Sequence, residues 1–92
     1  MNFSEEDLKV MRKALNKWGI ELQVNMVFEE VGELLQALSC YKRSKFSKSD
    51  LAEEIADVYL MLKQIEIAFC IEESVKEAKE IKLQRLKERL EK

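Results

Sequence analysis

Two short acidic runs hold the chemistry this sequence offers: Glu29-Glu30-Val31-Gly32-Glu33 and Glu53-Glu54-Ile55-Ala56-Asp57. Residues three apart on a helix share one surface, so Glu30 with Glu33, and Glu54 with Asp57, each form a pincer. Both pincers adjoin apolar positions. If their helices pack antiparallel across a short loop, the carboxylates converge in a partly desolvated groove, where mutual repulsion is costly unless a cation compensates it. Carboxylate oxygens in a chain without histidine suit hard divalent ions, Mg²⁺ first and Mn²⁺ as a substitute. The same lack of histidine disfavours a di-iron carboxylate bundle, which uses paired Glu-x-x-His motifs. Among 18 acidic residues any one Glu-x-x-Glu also fits a plain solvated helix surface. Two pincers on adjacent helices, with the helix-weakening Gly32 inside the first, favour a site.

The elements that position these runs follow from periodicity. Ser4 before Glu5, Glu6 and Asp7 has the form of an N-cap and acidic first turn, and Leu8, Met11, Leu15 and Trp18 recur at helical spacing. This predicts a first helix over about residues 5 to 17. Gly19 marks a bend. Val24, Val27, Val31, Leu34 and Leu38 trace the apolar face of a second helix over about residues 20 to 40. The basic, aperiodic stretch Tyr41-Lys42-Arg43-Ser44-Lys45-Phe46-Ser47-Lys48 is the main loop, and Ser49 with Asp50 can cap the helix after it. Leu51, Ile55, Val58, Leu62 and Ile65 define this third helix, whose C-terminal half is apolar almost all round, which predicts a central position. A fourth helix, over about residues 72 to 91, carries Val75 and Ala78 and then Leu83, Leu86 and Leu90. That last set is exposed in an isolated chain, so an oligomer is expected.

Composition agrees with an all-α chain of about four helices in one domain, residues 1–92. Proline is absent and glycine occurs only at positions 19 and 32, so little breaks a helix or turns a strand. With 47% hydrophobic and 37% charged residues there is apolar material for a core and a solvated outside. The net charge of −2 argues against an affinity built on neutralising many phosphates of a nucleic-acid polymer. No apolar run is long enough to span a bilayer, and the N-terminal residues lack the order of a signal peptide, so a cytoplasmic location is expected without membrane attachment. Cys40 and Cys70 have neither metal spacing nor a disulfide framework and read as ordinary thiols.

The two acidic runs resemble the MazG-like branch of the all-α nucleoside triphosphate pyrophosphohydrolases, whose signature is Glu-Glu-x-x-Glu followed after a loop by Glu-x-x-Asp. Here these are Glu29-Glu30-Val31-Gly32-Glu33 and Glu54-Ile55-Ala56-Asp57, and the helix order fits over nearly the whole chain. Trp18-Gly19, Gln23 and Lys82-Leu83-Gln84-Arg85-Leu86 are also similar to the family. The resemblance implies that Glu30, Glu33, Glu54 and Asp57 ligate Mg²⁺, while Glu29 or Glu53 holds or deprotonates the attacking water. It implies hydrolysis of a nucleoside triphosphate between the α and β phosphates, in a homodimer or homotetramer whose neighbouring chains help complete each site. Some relatives carry a lysine one turn before the first motif, where this chain has Asn25 and Met26.

Around that centre, Lys82 and Arg85 share a face with Arg89 and are candidates for gripping polyphosphate, against the alternative of a dipole-favoured helix end in water. Trp18 and Gln23 are candidate base contacts, and Phe46 is a further stacking candidate, with core or interface as the default for the two aromatics. Lys42, Arg43, Lys45 and Lys48 form either a flap over nucleotide or a solvated connector. The leading expectation is thus a Mg²⁺-dependent pyrophosphohydrolase serving nucleotide-pool house-cleaning. The rival is a non-catalytic helical module that binds metal or nucleotide, and base and sugar preference stay open.

Overall fold

The serine at position 4 starts the first helix by reciprocal capping. Asp7 N donates to Ser4 Oγ at 3.0 Å, and Ser4 N donates to Asp7 Oδ2 at 2.9 Å. These bonds satisfy two amides that helix geometry leaves without partners. Helix α1 then runs Glu5–Lys42 in a computed structural model that describes residues 2–43 and 45–92. Met1 of the expected N-terminal segment and Ser44 of the expected loop lie outside the described residues.

Among the described residues three helices stand where the sequence suggested four. The stretches expected at 5–17 and 20–40 are one element, bent at Gly19, whose φ of 83° and ψ of 160° are not helical. A straight helix of 38 residues would be about 57 Å long, whereas the longest dimension of the molecule is 42 Å. One glycine therefore redirects the chain without an intervening loop, because the positive φ is accessible without a Cβ.

Helix α2, Lys48–Ala68, is capped two residues before the expected position: Ser47, in extended backbone, accepts from Asp50 N at 3.2 Å, while Ser49 is already helical. Helix α3 occupies Glu72–Leu90, close to expectation. Between them the chain turns through a left-handed residue, Cys70, with φ 57°. Cys70 N donates to the Ile67 carbonyl and Ile71 N to the Glu66 carbonyl, the paired bonds of a Schellman ending. Lys63 also ties this corner, reaching Glu72 at 2.9 Å and Glu66 at 3.4 Å. The bond to Glu72 leads in raising its ammonium pKa, against opposition from burial.

Both arms of α1 lie against α2, and among the described residues α3 packs on α2 alone. The first arm meets the C-terminal half of α2, where Phe3, Val10, Met11 and Ala14 line a groove with Leu60 and Gln64. Met11, Val58 and Met61 form the small buried core, accompanied by Gln23 and Gln64. The central place expected for α2 holds, while Tyr59, Leu60 and Leu62 on it are exposed. Trp18 and Leu38 of the predicted apolar face are exposed too, because a single chain supplies only one layer against that face.

The molecule is open for its size. Its accessible surface is 7538 Å², against about 5,500 Å² for a compact monomer of 10.8 kDa. Its radius of gyration is 15.8 Å, where a compact chain of 92 residues has about 12 Å. Residues 76–90 of α3 are exposed throughout, including Ile81, Leu83, Leu86 and Leu90. No helix among the described residues is long and apolar enough to cross a membrane.

Candidate metal centre

The antiparallel packing of α1 on α2 sets its register with three facing pairs. Gln23 Nε2 of α1 donates to Gln64 Oε1 of α2 in the buried layer. Seven residues further along α1 is Glu30, and seven residues back along α2 is Asp57. Another three in each direction reach Glu33 and Glu54. Glu30 approaches Asp57, and Glu54 approaches Glu33, within side-chain hydrogen-bonding reach. Each contact is a hydrogen bond only when one carboxyl holds a proton, because ionised carboxylates can only accept.

The result is one cluster. Glu30, Glu33, Glu54 and Asp57 each place a carboxylate oxygen so that all four atoms lie within 4.8 Å of one another. Of the four to six carboxylates expected to converge, these four do. Glu30 Oε2 and Glu54 Oε2 are buried with no hydrogen-bond partner among the described residues. A buried carboxylate oxygen without a donor is costly, and a cation is the group that satisfies several at once.

Desolvation is the main reason the Glu30 carboxyl titrates above its usual range, and the charges of Glu33, Asp57 and Glu54 push the same way. Burial likewise raises Glu54, followed by the charge and proximity of Glu33 and the charges of Asp57 and Glu53. The donor set fits Mg²⁺ or Mn²⁺: oxygen ligands at 2.0–2.1 Å in an octahedron put opposite ligands about 4.2 Å apart, close to the span of the cluster.

No family model, curated protein or solved structure matches this chain.

The other candidate residues are more dispersed. Glu29 and Glu53 are exposed, each one residue before a member of the quartet and so about 100° around its helix. Lys82, Arg85, Leu86 and Arg89 line a shallow depression on α3, and none of the four carboxylates contributes to its wall. Trp18 is exposed, with Lys17 Nζ 5.4 Å from its ring centre. Phe46 packs edge-on against Tyr41, with centroids 5.5 Å apart, while Lys42, Arg43, Lys45 and Lys48 are exposed around that corner.

Gln23 has a different surrounding from the one a base contact needs. It is only 4% exposed and spends its amide on Gln64. Sequence reasoning missed Gln64 itself. No local signal singles it out, because Lys63 and Glu66 interrupt the same stretch from Tyr59 to Ile67.

Proposed function

We propose that this protein is a Mg²⁺-dependent nucleotide pyrophosphohydrolase that converts a nucleoside triphosphate to the monophosphate and pyrophosphate, in nucleotide-pool house-cleaning. The observation that carries this reading is the cross-helix quartet Glu30, Glu33, Glu54 and Asp57, with two of its oxygens buried and unpartnered. Mg²⁺ at such a quartet would supply neutralisation of phosphate charge and a more acidic bound water. The four carboxylates bind and orient. Glu29 or Glu53, exposed beside them, accepts the proton of the attacking water as its oxygen joins phosphorus and the α–β phosphoanhydride bond breaks.

The working unit is a homodimer or homotetramer. Its support is the surface excess of about 2,000 Å² over a compact monomer, more than the roughly 800 Å² per partner that a standard interface buries. Assembly is also the route by which Lys82 and Arg85, remote from α1 in one chain, would meet the phosphates. Trp18 offers an exposed ring for stacking on a base.

A second reading has its own observation. Because the Lys82 and Arg85 depression and the quartet are separate in a single chain, a module that binds metal or nucleotide without turnover also accounts for both surfaces. Pyrophosphate release from a panel of nucleoside triphosphates, with and without Mg²⁺ and beside Glu33→Gln and Asp57→Asn, decides between them. Metal-dependent release lost in both variants with helicity intact supports the enzyme. Nucleotide binding by calorimetry with no product over hours supports the module.

A further inference from the structure

We infer that the Gln23–Gln64 hydrogen bond sets the register of α1 on α2, and through it brings Glu30 opposite Asp57 and Glu33 opposite Glu54. Gln23 and Gln64 are positioning residues in this account, and neither touches the carboxylates. Their layer lies one heptad from the Glu30–Asp57 layer, about 10 Å along the helices.

Other forces across this interface leave the register loose. The apolar contacts of Met11, Val58 and Met61 favour burial but are non-directional. The four carboxylates repel one another and cannot hold their own alignment. Among the described residues no salt bridge joins α1 to α2, and apart from the carboxyl pairs of the quartet, which bond only when one member is protonated, Gln23–Gln64 is the one side-chain hydrogen bond that does. The connection over residues 43–47 restrains the hairpin to slips of about one turn, which fraying at Lys42 or Lys48 can absorb.

A one-turn slip is discriminated at the glutamine layer. Moved three residues one way, Gln23 faces Met61, Glu33 faces Leu51, and the quartet is reduced to Glu30 with Glu54. Moved the other way, Gln64 faces Met26, Glu30 faces Leu60, and only Glu33 with Asp57 remains. Apolar residues still meet apolar residues elsewhere, but the two buried amides lose each other, Gln23 is left without its acceptor, and Gln64 keeps the bond from its Nε2 to the Leu60 carbonyl of its own helix. A buried polar pair of this kind specifies alignment at some cost in stability, as a core asparagine does in coiled coils.

The test reads register directly and needs no metal. Spin labels on the exposed native Cys70 and on Gln36→Cys, in a Cys40→Ser background diluted with unlabelled chain, report the axial offset of α2 against α1. The parent is expected to give one narrow distance distribution. Gln23→Leu with Gln64→Leu is expected to keep its helicity and melting temperature while the distribution splits or shifts by about 5 Å, one helical turn. An unchanged single distance in that variant overturns the inference, whatever happens to stability. Should the double variant fail to fold, Gln23→Met with Gln64 retained is read the same way: a split or shift supports the inference, and an unchanged distance overturns it.

The consequence for the quartet rests on the proposed metal site and is measured separately. Mn²⁺ affinity by calorimetry is expected to fall about 10-fold or more in the double leucine variant, the scale seen when residues supporting metal ligands are lost. A register shift in a protein whose parent binds no Mn²⁺ supports the register role and counts against the metal reading alone.

Discussion

Glu30 of α1 and Glu54 of α2 each bury one carboxylate oxygen, Oε2, that has no hydrogen-bond partner among the described residues, and both belong to the same four-carboxylate cluster. Local sequence places each of them three residues from a second acid. Only the packing of α1 on α2 makes their charges mutual. Without a cation, the cluster is a cost that the fold carries.

That cost has a pH sign. The folded-state pKa of Glu30 and of Glu54 lies above the usual 4.5, so between that value and the raised one the folded state binds more protons than the unfolded state. Metal-free stability therefore falls as pH rises through this window and stays reduced at neutral pH. Thermal melts in chelator should show a higher melting temperature near pH 5 than at pH 7, and Glu30→Gln with Glu54→Gln should flatten the difference. A melting temperature that rises steadily from pH 5 to 7 would contradict this account.

The two glycines should respond in opposite directions to alanine. At Gly19 a Cβ has open space, but φ 83° with ψ 160° belongs to backbone that side chains avoid, so Gly19→Ala should lower stability by about 1–3 kcal/mol. Gly32 is helical and its Cβ would also meet nothing within 4 Å, so Gly32→Ala should add about 1 kcal/mol. Urea unfolding of the two variants beside wild type gives both numbers.

The corner between α2 and α3 places a cysteine where Schellman endings favour glycine. Cys70 is exposed and has φ 57°, so Cys70→Gly gives up little packing and removes a left-handed strain. A gain of about 1 kcal/mol in urea unfolding is expected. Hydrogen exchange should show the added protection concentrated at the end of α2 and the start of α3.

Assembly is testable through the exposed leucines of α3. Sedimentation equilibrium should give at least twice the chain mass of 10.8 kDa at micromolar concentration. Leu83→Glu with Leu86→Glu should return the protein toward monomer and lower its helicity, because a solvated helix of this length is marginal alone. A wild-type mass of one chain at every concentration removes the oligomer from the proposal.

What the sequence determined by itself is local. Ser4 with Asp7 announces the first cap, the absence of proline leaves long helices possible, and the spacing of Glu30 with Glu33 and of Glu54 with Asp57 puts each pair on one surface. These features depend on residues a few positions apart, which helix geometry alone relates. Tertiary structure decided the rest. Gly19 signals an interruption, but whether it opens a loop or bends one helix depends on α1 having α2 to fold against. Likewise Ser47 and Ser49 are both plausible caps until the packed corner fixes which one is extended. The partnership of Gln23 with Gln64 spans 41 residues and leaves no local trace, because an amide's partner is chosen by register, not by neighbours. Convergence of the four acids is decided at the same level: their repulsion is tolerated only because the packing of α1 on α2 holds them in place.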